Sequence, residues 1–152
     1  TMANTTYRVQ ARKNAAEFVK ITARDHSVIV DEPIAKGGTD AGMAPVELML
    51  GALAGCMTLT LSIYAEAMGV PAKGIEITVE GDLDSAGMKG SSRVRPGFNS
   101  IRLNIKAETD ADPEVFQQVV DLAVLRCPVE DSIGKGVSIE EPTLTVVKPA
   151  AE

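Results

Sequence analysis

Apolar and polar residues alternate with a period of two in several short runs along this chain, and crowd together without a clean period over residues 44–63. Residues 7–13 (Tyr-Arg-Val-Gln-Ala-Arg-Lys) and 17–22 (Glu-Phe-Val-Lys-Ile-Thr) are short alternating runs, and the apolar run 27–31 (Ser-Val-Ile-Val-Asp) follows, with breaks at Asn14 and at Arg24-Asp25-His26. Three such runs with turn residues between them predict a three-stranded meander. Pro33 ends that sheet, and residues 36–42 (Lys-Gly-Gly-Thr-Asp-Ala-Gly) form a glycine-rich loop. The loop lacks the Lys-Ser/Thr that follows the glycines of a phosphate-binding loop and the spacing of a dinucleotide fingerprint, so it reads as a connector.

Pro45 stands where a first helical residue belongs, with Glu47 in the first turn, and Gly69 and Pro71 mark the far end. A helix from 45 to about 67 or 68 follows. Leu48, Met49, Leu50, Leu53, Met57, Leu59, Leu61 and Ile63 fall all round it, so protein must surround it, at the centre of a domain or of a dimer. Its small residues, with Thr58, Thr60, Ser62 and Glu47, fit a buried helix better than a membrane span.

Residues 74–83 alternate cleanly as a strand, residues 98–107 return as its partner, and the glycine-rich, charged segment 85–97 between them looks least ordered. Asp112-Pro113-Glu114 opens a second long helix as cap, first-position proline and acidic first turn. That helix ends near Arg126, because a residue before proline is pushed out of helical geometry. Pro128 starts a short helix with Cys127 at its N-cap and Glu130 and Asp131 in its first turn, and residues 142–148 read as a last strand. The order β-β-β-α-β-β-α-α-β is an α+β fold. No repeat or linker divides it, so residues 1–152 are expected to form one domain; Thr1, ahead of Met2, reads as an addition and carries no argument.

Composition narrows the function more than the fold. With 45% hydrophobic and 24% charged residues the chain is globular, and its net charge of −6 argues against a nucleic-acid or anionic-membrane partner. No cationic, apolar leader precedes the first strand, which points to a cytoplasmic protein whose two cysteines rest reduced. His26 is the only histidine, too little for a histidine-rich metal site or a Ser-His-Asp triad. Asp31-Glu32 and Asp82 with Asp84 read as solvated strand-end acids, and the methionines as core fillers. No cofactor is expected.

Cys56 and Cys127 remain. From the residues alone they are either two inert core thiols or a redox pair. Cys56 lies eleven residues into its helix, roughly 16 Å from the N-terminal dipole, which is too far to lower its pKa. An apolar site raises a thiol pKa, so a reactive Cys56 needs a cation or another donor brought in by the fold. Cys127, at a helix start, has backbone donors and a favourable dipole close by, with Glu130 and Asp131 opposing a thiolate.

The segment Gly37-Gly38-Thr39-Asp40-Ala41-Gly42-Met43-Ala44-Pro45-Val46-Glu47-Leu48, leading into Ala52-Leu53-Ala54-Gly55-Cys56 and followed much later by Cys127-Pro128-Val129, resembles the OsmC/Ohr family of osmotically inducible and organic hydroperoxide resistance proteins. The likeness covers nearly the whole chain in element order. It implies an intertwined homodimer with two central buried helices wrapped by antiparallel sheets, and a thiol peroxidase site at the interface. Cys56 then matches the peroxide-attacking cysteine, Cys127 the resolving one, and Arg24, by its place near an early turn, the arginine that holds the thiolate. Arg93 and Arg95 are the alternatives to Arg24. The resemblance also implies hydroperoxide substrates, often organic, and an external dithiol reductant, a lipoylated protein in some members.

The family's peroxidase branches place a glutamate directly after the helix-starting proline, whereas this chain has Val46 there and Glu47 next. One residue turns a side chain by about 100° on a helix. Glu47 also lies nine residues before Cys56, about 180° round the helix, so it can order an arginine at that thiol only across a dimer interface or by a detour. Its other role is that of an acid favoured by the helix dipole. The expected activity is reduction of hydroperoxides through a Cys56 sulfenic acid that Cys127 resolves as a disulfide. The alternatives are a dimeric module binding an apolar small molecule in the interface pocket, and sulfur transfer on the same cysteines.

Overall fold

The chain is described by a computed structural model covering residues 3–150; Thr1 lies outside the described residues. Strands β1 (Gln10–Arg12), β2 (Val19–Ala23) and β3 (His26–Val30) form the expected antiparallel meander in the order β1-β2-β3. Ala23 pairs with His26, so Arg24 and Asp25 make a two-residue turn, and Arg24 takes the left-handed conformation, φ 53°. β1 is shorter than the alternation 7–13 predicts, and Tyr7 and Val9 stand exposed. Alternation alone does not extend a strand where no apolar surface lies beneath it. Past Pro33, Ile34–Lys36 makes one 3₁₀ turn closed by Gly37 at φ 91°, a conformation glycine adopts without steric cost.

Helix α1 (Pro45–Ala67) begins at Pro45 and carries Glu47 in its first turn. It stops where Gly69 turns left-handed at φ 72° and Val70 N–H bonds Ala65 C=O at 2.9 Å, capping carbonyls the helix leaves unpaired. Strands β4 (Gly74–Leu83) and β5 (Phe98–Glu108) pair antiparallel, with Ile77 opposite Ile105 and Val79 opposite Leu103. Between them the segment expected to be least ordered holds a four-residue helix, α2 (Ser85–Met88), capped by Asp84, whose carboxylate accepts from Ala86 N–H at 2.9 Å. Helices α3 (Pro113–Arg126) and α4 (Pro128–Lys135) lie where the prolines place them. Asp112 occupies the N-cap of α3, yet its side chain makes no capping bond.

The core is one cluster: Leu53, Met57, Leu61 and Ala65 from α1, Phe116, Val119 and Ala123 from α3, and Cys127. The inward face of the second sheet, Ile75, Ile77, Val79, Ile101, Leu103 and Ile105, packs on it. Among the described residues β1–β3 contribute nothing to this cluster.

α1 is covered along the row Leu53, Met57, Leu61 and Ala65, while Leu59 and Ile63 on the opposite row remain exposed at 68 and 64%, so this chain alone does not supply the surroundings expected for it. One expectation is corrected. Residues 142–148 form no strand, and Leu144, Val146 and Val147 are more than 80% exposed. A strand exists only where a neighbour completes its ladder, and this segment lies against none.

Candidate active site at the Cys56–Cys127 pair

Cys127 is set by the proline after it. Pro128 disfavours helical geometry at the preceding residue, and Cys127 accordingly adopts φ −72°, ψ 114°, ending α3 and starting α4 at once. Its N–H bonds Ala123 C=O at 2.8 Å, while its own C=O accepts from Asp131 N–H at 2.9 Å. The corner is therefore tied to both helices, and it directs the side chain against α1. There Cys56 stands at the edge of the Leu53–Met57–Leu61 stripe.

The two sulfurs lie 3.0 Å apart, with the Cys127 thiol donating to Cys56 Sγ. Both thiols are free; Cys127 is fully buried, and Cys56 is half-buried. A disulfide needs the sulfurs to close to about 2.05 Å, a shift that side-chain rotation can supply. Burial pushes the Cys127 thiol above its ordinary range, and the hydrogen bond to Cys56 adds to this. The amide groups of Glu130 and Val129 pull the other way. The helix-start donors expected to favour a Cys127 thiolate are thus present, but desolvation outweighs them. The pair is asymmetric: a buried, protonated thiol hydrogen-bonds a more accessible one, leaving Cys56 as the sulfur open to attack a substrate.

The structure does not bring the other candidates to this pair. Arg24 sits at the β2–β3 tip, on the sheet that stays outside the core, and forms no hydrogen bond to either thiol. A left-handed φ is unusual for a residue other than Gly, Asn or Asp, so the hairpin holds Arg24 at some conformational cost. Glu47 is exposed in the first turn of α1. Arg93 and Arg95 are exposed in the loop after α2, where Gly87 packs so closely on the Arg95–Pro96 backbone that a Cβ would come within 2.7 Å. The expected apolar pocket at Cys56 is not formed by one chain. A cavity of about 240 Å³ lies between the first sheet and the glycine-rich loop, beside Val19, Asp31 and Gly38. Another, of about 460 Å³, lies between β5 and α3, beside Leu103, Ile105, Phe116 and Val120. Neither touches the thiols.

Two residues do more than the sequence suggested. Asp31, read as a solvated acid, is buried, and its carboxylate accepts from Glu32 N–H at 2.8 Å, Thr39 N–H at 3.1 Å, Ala41 N–H at 3.0 Å and the Thr39 hydroxyl. These bonds, led by the Thr39 hydroxyl, lower its pKa to about 2 and fasten the glycine-rich loop to the end of β3. An acid placed just before a loop that contains threonine and glycine was the available signal. Thr60, one turn after Cys56, places its hydroxyl 4.0 Å from Cys56 Sγ; the i, i+4 spacing was legible. Asp82 is taken up by Arg102 and Asp84 by its cap. Among the described residues no group of three His, Cys, Asp or Glu side chains is arranged to hold a metal ion.

A family profile described as OsmC-like protein matches residues 37–141, a span containing both cysteines. The chain belongs to the OsmC-like family. Its fold is similar to that of the OsmC-like protein of Mycoplasma pneumoniae, at 17% identity over 87% of this chain and 89% of that one, with a TM-score of 0.76. It is also similar to an organic hydroperoxide resistance protein OsmC of Legionella pneumophila, at 18% identity, 87% and 91% coverage and a TM-score of 0.62. An organic hydroperoxide resistance protein of Elizabethkingia anophelis matches at 15% identity, 87% and 90% coverage and a TM-score of 0.64. No curated protein matches the chain by sequence. Family and α+β architecture are thereby established for this OsmC-like protein.

Proposed function

We propose that this OsmC-like protein is a cysteine-based peroxidase that reduces organic hydroperoxides. The observation that carries this reading is the 3.0 Å contact between Cys56 and Cys127, which juxtaposes an accessible sulfur with a buried thiol of raised pKa. Cys56, as thiolate, attacks the distal peroxide oxygen; the O–O bond breaks, the alkoxide takes a proton and leaves as alcohol, and Cys56 becomes a sulfenic acid. Cys127 loses its proton and attacks that sulfur, releasing water and closing the disulfide. An external dithiol then reopens it by exchange, a lipoylated protein being the expected carrier. The thiols begin and end reduced, and peroxide plus dithiol become alcohol, water and an external disulfide.

The working unit is a homodimer of single-domain chains in a reducing cytoplasm. The exposed side of α1 (Leu59 and Ile63) supports this, because an apolar helix face left open calls for a cover. So does the separation of Arg24 and Glu47 from the thiols of their own chain. In the dimer the second copy supplies both residues, Arg24 holding the Cys56 thiolate and Glu47 orienting Arg24. The covered face supplies the apolar pocket in which alkyl tails gain from burial.

A second reading, a module that binds an apolar small molecule, is favoured by the 460 Å³ cavity beside Leu103 and Phe116 and by Val46 in place of the family glutamate. Dithiol-dependent turnover of cumene hydroperoxide separates the two. The peroxidase reading expects turnover by the wild type, none by Cys56→Ser, and loss of catalytic cycling in Cys127→Ser. A wild type that binds cumyl alcohol yet turns over no peroxide would support the binding module.

A further inference from the structure

A mid-helix threonine ordinarily satisfies its hydroxyl by bonding back to the carbonyl four residues earlier. Thr58 does so, donating to Ala54 C=O at 2.7 Å, and Ser132 in α4 donates in the same way to Pro128 C=O at 2.7 Å. Thr60 differs. Its only hydrogen-bond partner among the described residues is Cys56 Sγ at 4.0 Å, at the long end of the range that the large sulfur atom allows. Cys56 Sγ thus has the Thr60 hydroxyl on its own helix and the Cys127 thiol from the α3–α4 corner.

We infer that Thr60 is a functional residue of the peroxidatic site, its hydroxyl donating to the Cys56 thiolate and, together with Cys127, holding that sulfur ready before any arginine arrives. The inference deepens the peroxidase reading and rests on it for the role of Cys56. A thiolate is a larger and stronger acceptor than a thiol, so the Thr60 hydroxyl gains more from the charged form that attacks the peroxide. In the attack the hydroxyl stays intact: the electron pair goes from sulfur to the distal oxygen, and the departing alkoxide takes its proton from water. Once sulfur has become a sulfenic acid its negative charge is gone, the Thr60 bond weakens, and Cys56 is free to turn toward Cys127.

Other charged groups on the surrounding elements do not provide this donor. Glu130 and Asp131 in α4 are acidic, and Asp131 is paired with Lys135 at 2.6 Å. Arg126 ends α3 exposed to solvent, and β4 turns Ile75, Ile77 and Val79 toward the core.

The test is the pH profile of Cys56 alkylation by iodoacetamide, read by peptide mass, in wild type, Thr60→Val and Thr60→Ser. Valine keeps the shape and removes the donor; serine keeps the donor. Thr60→Val should slow Cys56 alkylation about tenfold on the rising limb of the profile, while Thr60→Ser stays close to wild type. An unmoved profile in Thr60→Val, or an equal shift in both variants, overturns the inference, the latter because packing alone would explain it. Alkylation needs no peroxide. A shifted profile in a protein whose thiols peroxide leaves intact therefore upholds the Thr60 bond and overturns only the peroxidase reading.

Discussion

The two long faces of α1 both carry large apolar side chains and meet opposite circumstances. Leu53, Met57, Leu61 and Ala65 lie at 2% exposure or less under α3, α4 and β4. On the other side Leu59 and Ile63 are 68 and 64% exposed, and Gly51 and Gly55 have open space where a Cβ would stand. Apolar surface leaves water whenever something is there to cover it, so the difference teaches that this chain covers one row of α1 and leaves the opposite row open. Cys56 lies on the boundary: its sulfur reaches Cys127 on the covered side while part of it remains open. The peroxidase reading needs both sides, one for the resolving thiol and the other for the arginine and the pocket.

Substitutions on the two faces should separate fold from assembly. Leu61→Ala removes buried volume from the covered face and should cost about 2–5 kcal/mol, read as a lower denaturant midpoint. Leu59→Glu combined with Ile63→Glu should leave the circular dichroism of the fold in place, shift sedimentation from a dimer to a single-chain mass, and abolish peroxide turnover. Equal loss of fold in the two variants would erase the contrast between the faces.

Asp31 sharpens the comparison at the loop that leads into α1. Its folded pKa, about 2, lies below the ordinary 3.8. The stability it contributes is therefore complete above pH about 4 and is lost as the pH falls through about 2. Asp31→Asn should lower the midpoint at neutral pH and flatten the acid limb of the stability profile between those values. The smallest effect is expected at Arg102, whose ion pairs with Glu80 and Asp82 lie on the exposed face of the second sheet. Exposed pairs contribute little, so Arg102→Ala should leave the melting temperature within error.

Much of this was legible in the sequence because local signals and the fold agree. Pro45, Pro113 and Pro128 each open a helix at the residue they occupy, and clean alternation in 74–83 and 98–107 becomes the β4–β5 pair. The pairing of Cys56 with Cys127 followed from the resemblance rather than from spacing, since chain separation says nothing of distance. What failed depends on partners. Residues 142–148 alternate like a strand and form none, because a ladder needs a second edge. Asp31 was underestimated because its donors come from residues 39 and 41, which only the loop's closure brings to it. Cys127 was misjudged in the balance of its environment, where burial overrides amide donors that were correctly foreseen.

Intact-mass analysis after one equivalent of cumene hydroperoxide tests the central claim most directly, in wild type, Cys56→Ser and Cys127→Ser. Wild type should lose two hydrogens and both free thiols, with one disulfide mapped between Cys56 and Cys127. Cys127→Ser should instead trap an added oxygen on Cys56, and Cys56→Ser should remain unmodified. Thiols left intact in the wild type at saturating peroxide would contradict the account.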